Sequence, residues 1–90
     1  MTLPKRAAKR DENEPEIVDA LLAAGATVER ISMENAPDLL VGFRGINFLL
    51  EVKTAKGALK SGQARWHEDW QGQVEIVRCV EDALHAIGAI

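Results

Sequence analysis

The sequence predicts an α/β domain with one mixed sheet and helices packed against it, in the order α-β-β-β-α-β-α. Three observations carry that reading. Two segments rich in β-favouring residues, "DLLVGF" and "INFLLEVKT", flank an Arg44-Gly45 pair. Two segments with helical periodicity, "NEPEIVDALLAAG" and "SGQARWHEDWQG", stand on either side of them and each ends in glycine. The length, 90 residues, suits one domain and leaves no room for a second.

Taken in order, residues 1–10 hold Lys5, Arg6, Lys9 and Arg10 with no acid and read as a flexible basic tail, with 11–90 as the single domain. In the first helix Asn13 can cap, Pro15 suits the first turn and Gly25 suits the stop. Its apolar face is Ile17, Leu21 and Ala24, with Ala20 beside it. "ATVERIS" reads as a short strand, "MENAP" as a loop ending in Pro37, and "AKGALK" as a second loop. Ser61 can cap the second helix and Gly72 can stop it. "VEIVR" is a fourth strand. "VEDALHAI" is a short last helix with Ala83, Leu84 and Ile87 inward.

Composition excludes several classes. There is one cysteine, Cys79, so neither an intrachain disulfide nor a cysteine-based metal cluster is available, and a cytosolic, cytoplasmic location fits. No stretch approaches the roughly 20 apolar residues of a membrane span, and no apolar run follows the basic start as in a secretory signal. The net charge of −3 weighs against a polyanionic partner, but the charges are unevenly spread. Residues 53–65 hold Lys53, Lys56, Lys60 and Arg65 with no acid, while 66–90 hold five acids against Arg78. Local field steers a polyanion more than net charge does. Solvated surface charge is the plainer explanation of the same clusters.

The chemistry concentrates in "PDLLVGFRGINFLLEVK". With Arg44-Gly45 as a two-residue turn, residue 43 pairs with 46, 41 with 48, and 38 with 51. Asp38 then faces Glu51, with Cβ atoms about 5 Å apart. Lys53 lies on the same face, while Leu39, Val41, Phe48, Leu50 and Val52 point to the other. A slip of one residue would put Asp38 among apolar side chains, so the register is strongly specified. A turn longer by two residues leaves all three charges on one face. Two carboxylates so close disfavour joint ionisation unless a cation joins them, and carboxylate oxygen with water and phosphate suits Mg²⁺. A lysine beside them can orient an attacking water or stabilise developing phosphorane charge. A cross-strand acid–lysine pair on a solvated face is the competing structural explanation.

The ordered blocks "DENEPEIVDALLAAGATVERI", "PDLLVGFRG", "LLEVK", "QARWHEDWQG" and "VEIVRCVEDALHAIG" resemble the small stand-alone virus-type replication-repair nuclease (VRR-NUC) domain of phages and bacteria, in the PD-(D/E)xK superfamily. The resemblance covers roughly residues 11–88. It implies a restriction-endonuclease-like core and a Mg²⁺-dependent DNA endonuclease, with Mn²⁺ as a substitute. The family's helix acid matches Glu16, with Glu14 a poorer match because it precedes Pro15. Its hairpin residues match Asp38, Glu51 and Lys53, and its later glutamine matches Gln63. The implied metal ligands are Asp38, Glu51, the Val52 carbonyl and Glu16. Lys56, Lys60 and Arg65 would hold the DNA strand. The loop "TAKGALKS" is shorter than is common in the family, which reduces the substrate contact it can supply.

The same resemblance implies branched DNA such as a four-way (Holliday) junction as substrate; a two-fold symmetric junction needs two cuts, so a homodimer follows, and neither a membrane partner nor a small-molecule cofactor is expected. Alternatives are a catalytically silent DNA-binding module of the same fold and a nicking or duplex nuclease. The hairpin tip at Phe43-Arg44-Gly45 offers a large apolar side chain as a dimer surface. Gln63, Trp66, His67 and Trp70 share one helical face. Trp66 and Trp70 at that spacing read as core rather than as stacking platforms, and His67 as packed rather than as a base or ligand. Cys79 reads as buried and His85 as surface.

Overall fold

The computed structural model describes residues 10–90. Its elements are α1 (Glu14–Ala23), β1 (Thr27–Arg30), β2 (Leu39–Phe43), β3 (Ile46–Val52), α2 (Ser61–Asp69), β4 (Glu75–Val77) and α3 (Val80–Ala86), the order the sequence predicts. They build one sheet, β1-β2-β3-β4. β1, β2 and β3 are antiparallel neighbours, and β4 joins β3 in parallel after the α2 crossover. Among the described residues no helix is long and apolar enough to cross a membrane.

The β2–β3 hairpin has the expected register, with Phe43 on Ile46, Val41 on Phe48 and Leu39 on Leu50. Arg44 and Gly45 both have positive φ, 52° and 82°. That is the backbone of a type I′ turn, whose twist matches the strands it joins. Side-chain alternation then divides the sheet into two unlike faces. One face sends Leu39, Val41, Leu50, Val52 and Val77 into a core completed by Ile17 and Leu21 of α1, by Ala83 of α3 and by Ile87 just after it. Burial of each large side chain contributes about 1.5–3 kcal/mol. Truncating Leu50 to alanine would cost about 2–5 kcal/mol, a large share of what a small domain has.

The opposite face is covered incompletely, by α2. Among the described residues α2 contributes no buried side chain. Polar bonds attach it instead. Gln63 reaches Glu51 and Lys53, and just beyond the helix the Trp70 indole N–H donates to the Gln73 carbonyl. Gln73 in turn accepts the Leu49 N–H at 2.7 Å and donates to the Leu49 carbonyl at 3.2 Å. Its amide thus occupies the place a longer β4 would fill, since β4 pairs only with Leu50 and beyond.

Several expectations need correction. Asn13 occupies the N-cap position of α1 but makes no side-chain cap bond; its amide donates to the carbonyls of Lys53 and Arg78. Val18 is buried and Ala24 exposed, because the buried stripe runs Glu14, Ile17, Val18, Leu21. Lys60, not Ser61, occupies the N-cap position of α2 and makes no side-chain cap bond, and that helix ends at Asp69 before reaching Gly72. Trp66 and Trp70 lie outside the core; they stack on each other, ring centroids 4.7 Å apart, and Trp70 is 44% exposed. Cys79 is exposed, its sulfur accepting the Asp82 N–H at the start of α3. Phe43 is buried under its own sheet, with the Arg44 guanidinium 4.7 Å above its ring, whereas Ile46 on the other side of the turn is 57% exposed. Of the basic tail, residues 1–9 lie outside the described residues, whereas Arg10 is bonded into the domain.

Candidate metal and nucleic-acid site

Asp38 directly precedes β2, and Glu51 is the penultimate residue of β3. Continuing the register past Leu39 and Leu50 sets the two acids opposite each other. Both are buried. The Val52 N–H donates to Asp38 Oδ2 at 2.7 Å, and the Asp38 N–H donates to the Leu50 carbonyl at 3.1 Å. Asp38 therefore extends the hairpin ladder with both its main chain and its side chain, which fixes one carboxylate oxygen in place.

Lys53 is 8% exposed, and its Nζ donates to Gln63 Oε1 at 2.9 Å and lies 3.7 Å from Glu51 Oε2. The same Gln63 oxygen accepts the Lys60 N–H at 3.0 Å, and Gln63 Nε2 donates to Glu51 Oε2 at 3.3 Å. One amide thus satisfies a main-chain donor at the start of α2, as the third helical residue often does, and also orients the lysine and the carboxylate. A cavity of about 330 Å³ opens over this face, lined by Arg10, Asp38, Glu51, Lys53, Lys60 and Gln63 among others.

Behind it lies a layer of charge. The Arg10 guanidinium donates to the Ile31 carbonyl at 2.7 Å and to Glu14 Oε1 at 3.2 Å, and reaches Asp38 Oδ1 at 3.5 Å. Arg30 Nε donates to Glu14 Oε2 at 2.9 Å. On the other flank His67 Nε2 stands 3.7 Å from Glu51 Oε1, beyond hydrogen-bond reach. Burial, and after it the Lys53 ammonium, hold this imidazole below its ordinary value of 6.5 against an opposing pull from Asp38.

No protein-family model and no curated protein matches the chain. Among solved structures, one described as a VRR_NUC domain superposes with a TM-score of 0.66 at 27% identity, covering 98% of this chain and 97% of that one. The chain folds as a VRR-NUC domain. That is a nuclease-type fold.

Within this VRR-NUC fold, Asp38, Glu51, Lys53 and Gln63 come together in one cavity. The Val52 side chain is buried in the core on the opposite face, while its N–H donates to Asp38. Lys60 lines the same cavity, Arg65 lines a neighbouring one with Trp66 and Trp70, and Lys56 is exposed on the loop before α2. Glu16 is the exception. It is exposed and turned away, whereas Glu14 is buried and tied to Asp38 through Arg10. The physical reason is helical phase. Residues 14, 17, 18 and 21 share the buried stripe, and 16 lies outside it. Pro15, taken as a mark against Glu14, sits comfortably in the first turn and leaves Glu14 inside the helix.

Sequence reading missed Arg10, Asn13, Glu14 and Arg30 as parts of this neighbourhood. Arg10 and Glu14 stand four apart, which hinted at their pair. The bonds from Arg10 to Ile31 and Asp38 and from Asn13 to Lys53 and Arg78 had no local signal.

Proposed function

We propose that the protein is a Mg²⁺-dependent DNA endonuclease that acts on branched DNA as a homodimer. The observation that supports it most is the convergence of Asp38, Glu51, Lys53 and Gln63 on one open cavity. Among the described residues no group of three or more His, Cys, Asp and Glu converges as a protein-only metal cage. Two carboxylates with an adjacent main-chain carbonyl are instead a partial set, suited to a hard ion that keeps waters and takes phosphate oxygens. Asp38, Glu51 and the Val52 carbonyl would hold Mg²⁺ or Mn²⁺. When bound, such an ion polarises a phosphoryl oxygen and makes water a better nucleophile.

The chain's own groups do the rest. Gln63 pins the Lys53 side chain so that its ammonium points across the cavity beside Glu51, where it can orient the attacking water and neutralise charge developing on phosphorus. Lys60, Lys56 and Arg65 would bind backbone phosphates along the start of α2. A four-way junction needs two symmetric cuts, which a two-fold dimer would supply.

The test compares cleavage of junction, flap, single-stranded and duplex DNA with Mg²⁺, in wild type and in Asp38→Asn, Glu51→Gln and Lys53→Ala. Preferential junction cleavage, lost in all three variants and with metal binding retained only in Lys53→Ala, is expected. Activity near wild type in either carboxylate variant would overturn the site, and equal cleavage of duplex by a monomer would overturn the branched-DNA and dimer parts.

A further inference from the structure

We propose that Arg10 is a resident counter-cation that competes with the divalent ion for Asp38 and thereby sets how tightly that ion binds; the inference rests on the metal-nuclease reading above. Two buried acids, Glu14 and Asp38, face two arginines here. Arg30 already neutralises Glu14 through Oε2 at 2.9 Å. Arg10 is the additional charge, and it spans both acids, at 3.2 Å to Glu14 and 3.5 Å to Asp38 Oδ1. Its side chain is 17% exposed, so solvent screens it only in part.

The contacts are graded in a way that suits displacement. The short bonds of Arg10 go to the Ile31 carbonyl, 2.7 Å, and to Glu14. The long ones, 3.5 Å, go to the carboxylate and the carbonyl oxygen of Asp38. A divalent ion arriving between Asp38 and Glu51 would repel the guanidinium, which can let go of Asp38 while keeping its other holds. Without the ion, Arg10 and Lys53 stand in for its charge beside the two carboxylates.

Calorimetric Mn²⁺ titrations in the absence of DNA test this with wild type, Arg10→Gln, Arg10→Lys and Asp38→Asn. Arg10→Gln should bind Mn²⁺ about tenfold more tightly, as expected for removing one unit charge a few ångströms from a divalent ion. Arg10→Lys, which keeps the charge, should stay within about threefold of wild type. Loss of packing cannot tighten binding, so a gain separates competition from a merely structural role. Unchanged or weaker binding in Arg10→Gln, with Asp38→Asn unable to bind, would overturn the role of Arg10 alone. Binding by Asp38→Asn as strong as wild type would instead overturn the metal site itself. Should Arg10→Gln fail to fold, wild-type NMR decides. Mg²⁺ should shift the Arg10 Nε–H signal and leave that of Arg30 in place, and an unmoved Arg10 signal overturns the proposal.

Discussion

At Asp38 one oxygen accepts the Val52 N–H and the other lies toward Arg10, so neutralising the side chain and truncating it have different consequences. Asp38→Asn keeps an acceptor for Val52 and should melt close to wild type. Asp38→Ala leaves a buried N–H unsatisfied, which costs about 1–3 kcal/mol, or roughly 4–8 °C in Tm for each kcal/mol in a chain of this length. Thermal melts followed by circular dichroism check this, and identical melting of the two variants would refute it. His67 gives a pH prediction. Its folded pKa lies below the ordinary 6.5, so as pH falls the unfolded chain takes up the proton first. The stability from keeping His67 neutral is therefore complete above pH 6.5 and drains away as pH falls from there toward the folded value. Urea unfolding of metal-free protein should show wild type losing more stability than His67→Gln between about pH 7.5 and pH 5.5; parallel losses would contradict it.

Among the elements, α2 stands apart because polar bonds rather than buried side chains attach it. Elements with little buried apolar surface open at low free energy. Amide hydrogen exchange should be fast across α2 and slow across β3, and equal protection would show a tighter attachment than its contacts provide. Gly62 brings the start of α2 against the Asn35 side chain so closely that a Cβ there would fall 2.5 Å from Asn35 Oδ1. The hairpin was legible in the sequence for a related reason: its turn dipeptide, its apolar alternation and its charged ends all demand one register. α2 was legible as a helix but not in its packing, since two tryptophans at helical spacing resemble a core stripe. In α1 the stripe was read too far along the chain. Ala24 was counted inward and Val18 overlooked, and Glu16 was preferred to Glu14 because Glu14 precedes Pro15, although the buried stripe runs through Glu14. Arg10 was assigned to a tail because its partners Ile31 and Asp38 are distant in sequence.

On the scale of the molecule, the sheet separates stability from chemistry. α1 and α3 seal one face, and the other carries two buried acids and a buried lysine under a loosely held helix. A thin core must therefore support a face that contributes little packing. The price of that economy shows at the margin of the sheet. β4 has three residues against seven in β3, so part of β3 would present bare main-chain donors and acceptors were it not for the Gln73 amide on Leu49. Unpaired strand margins recruit strands from other molecules, and one side-chain amide here acts as a plug against that recruitment. Gln73→Ala should leave the melting temperature nearly unchanged and shorten the lag before thioflavin-positive fibrils form on prolonged incubation. By this account Gln73 guards colloidal solubility: it does little for the single folded molecule and matters when many copies are crowded together.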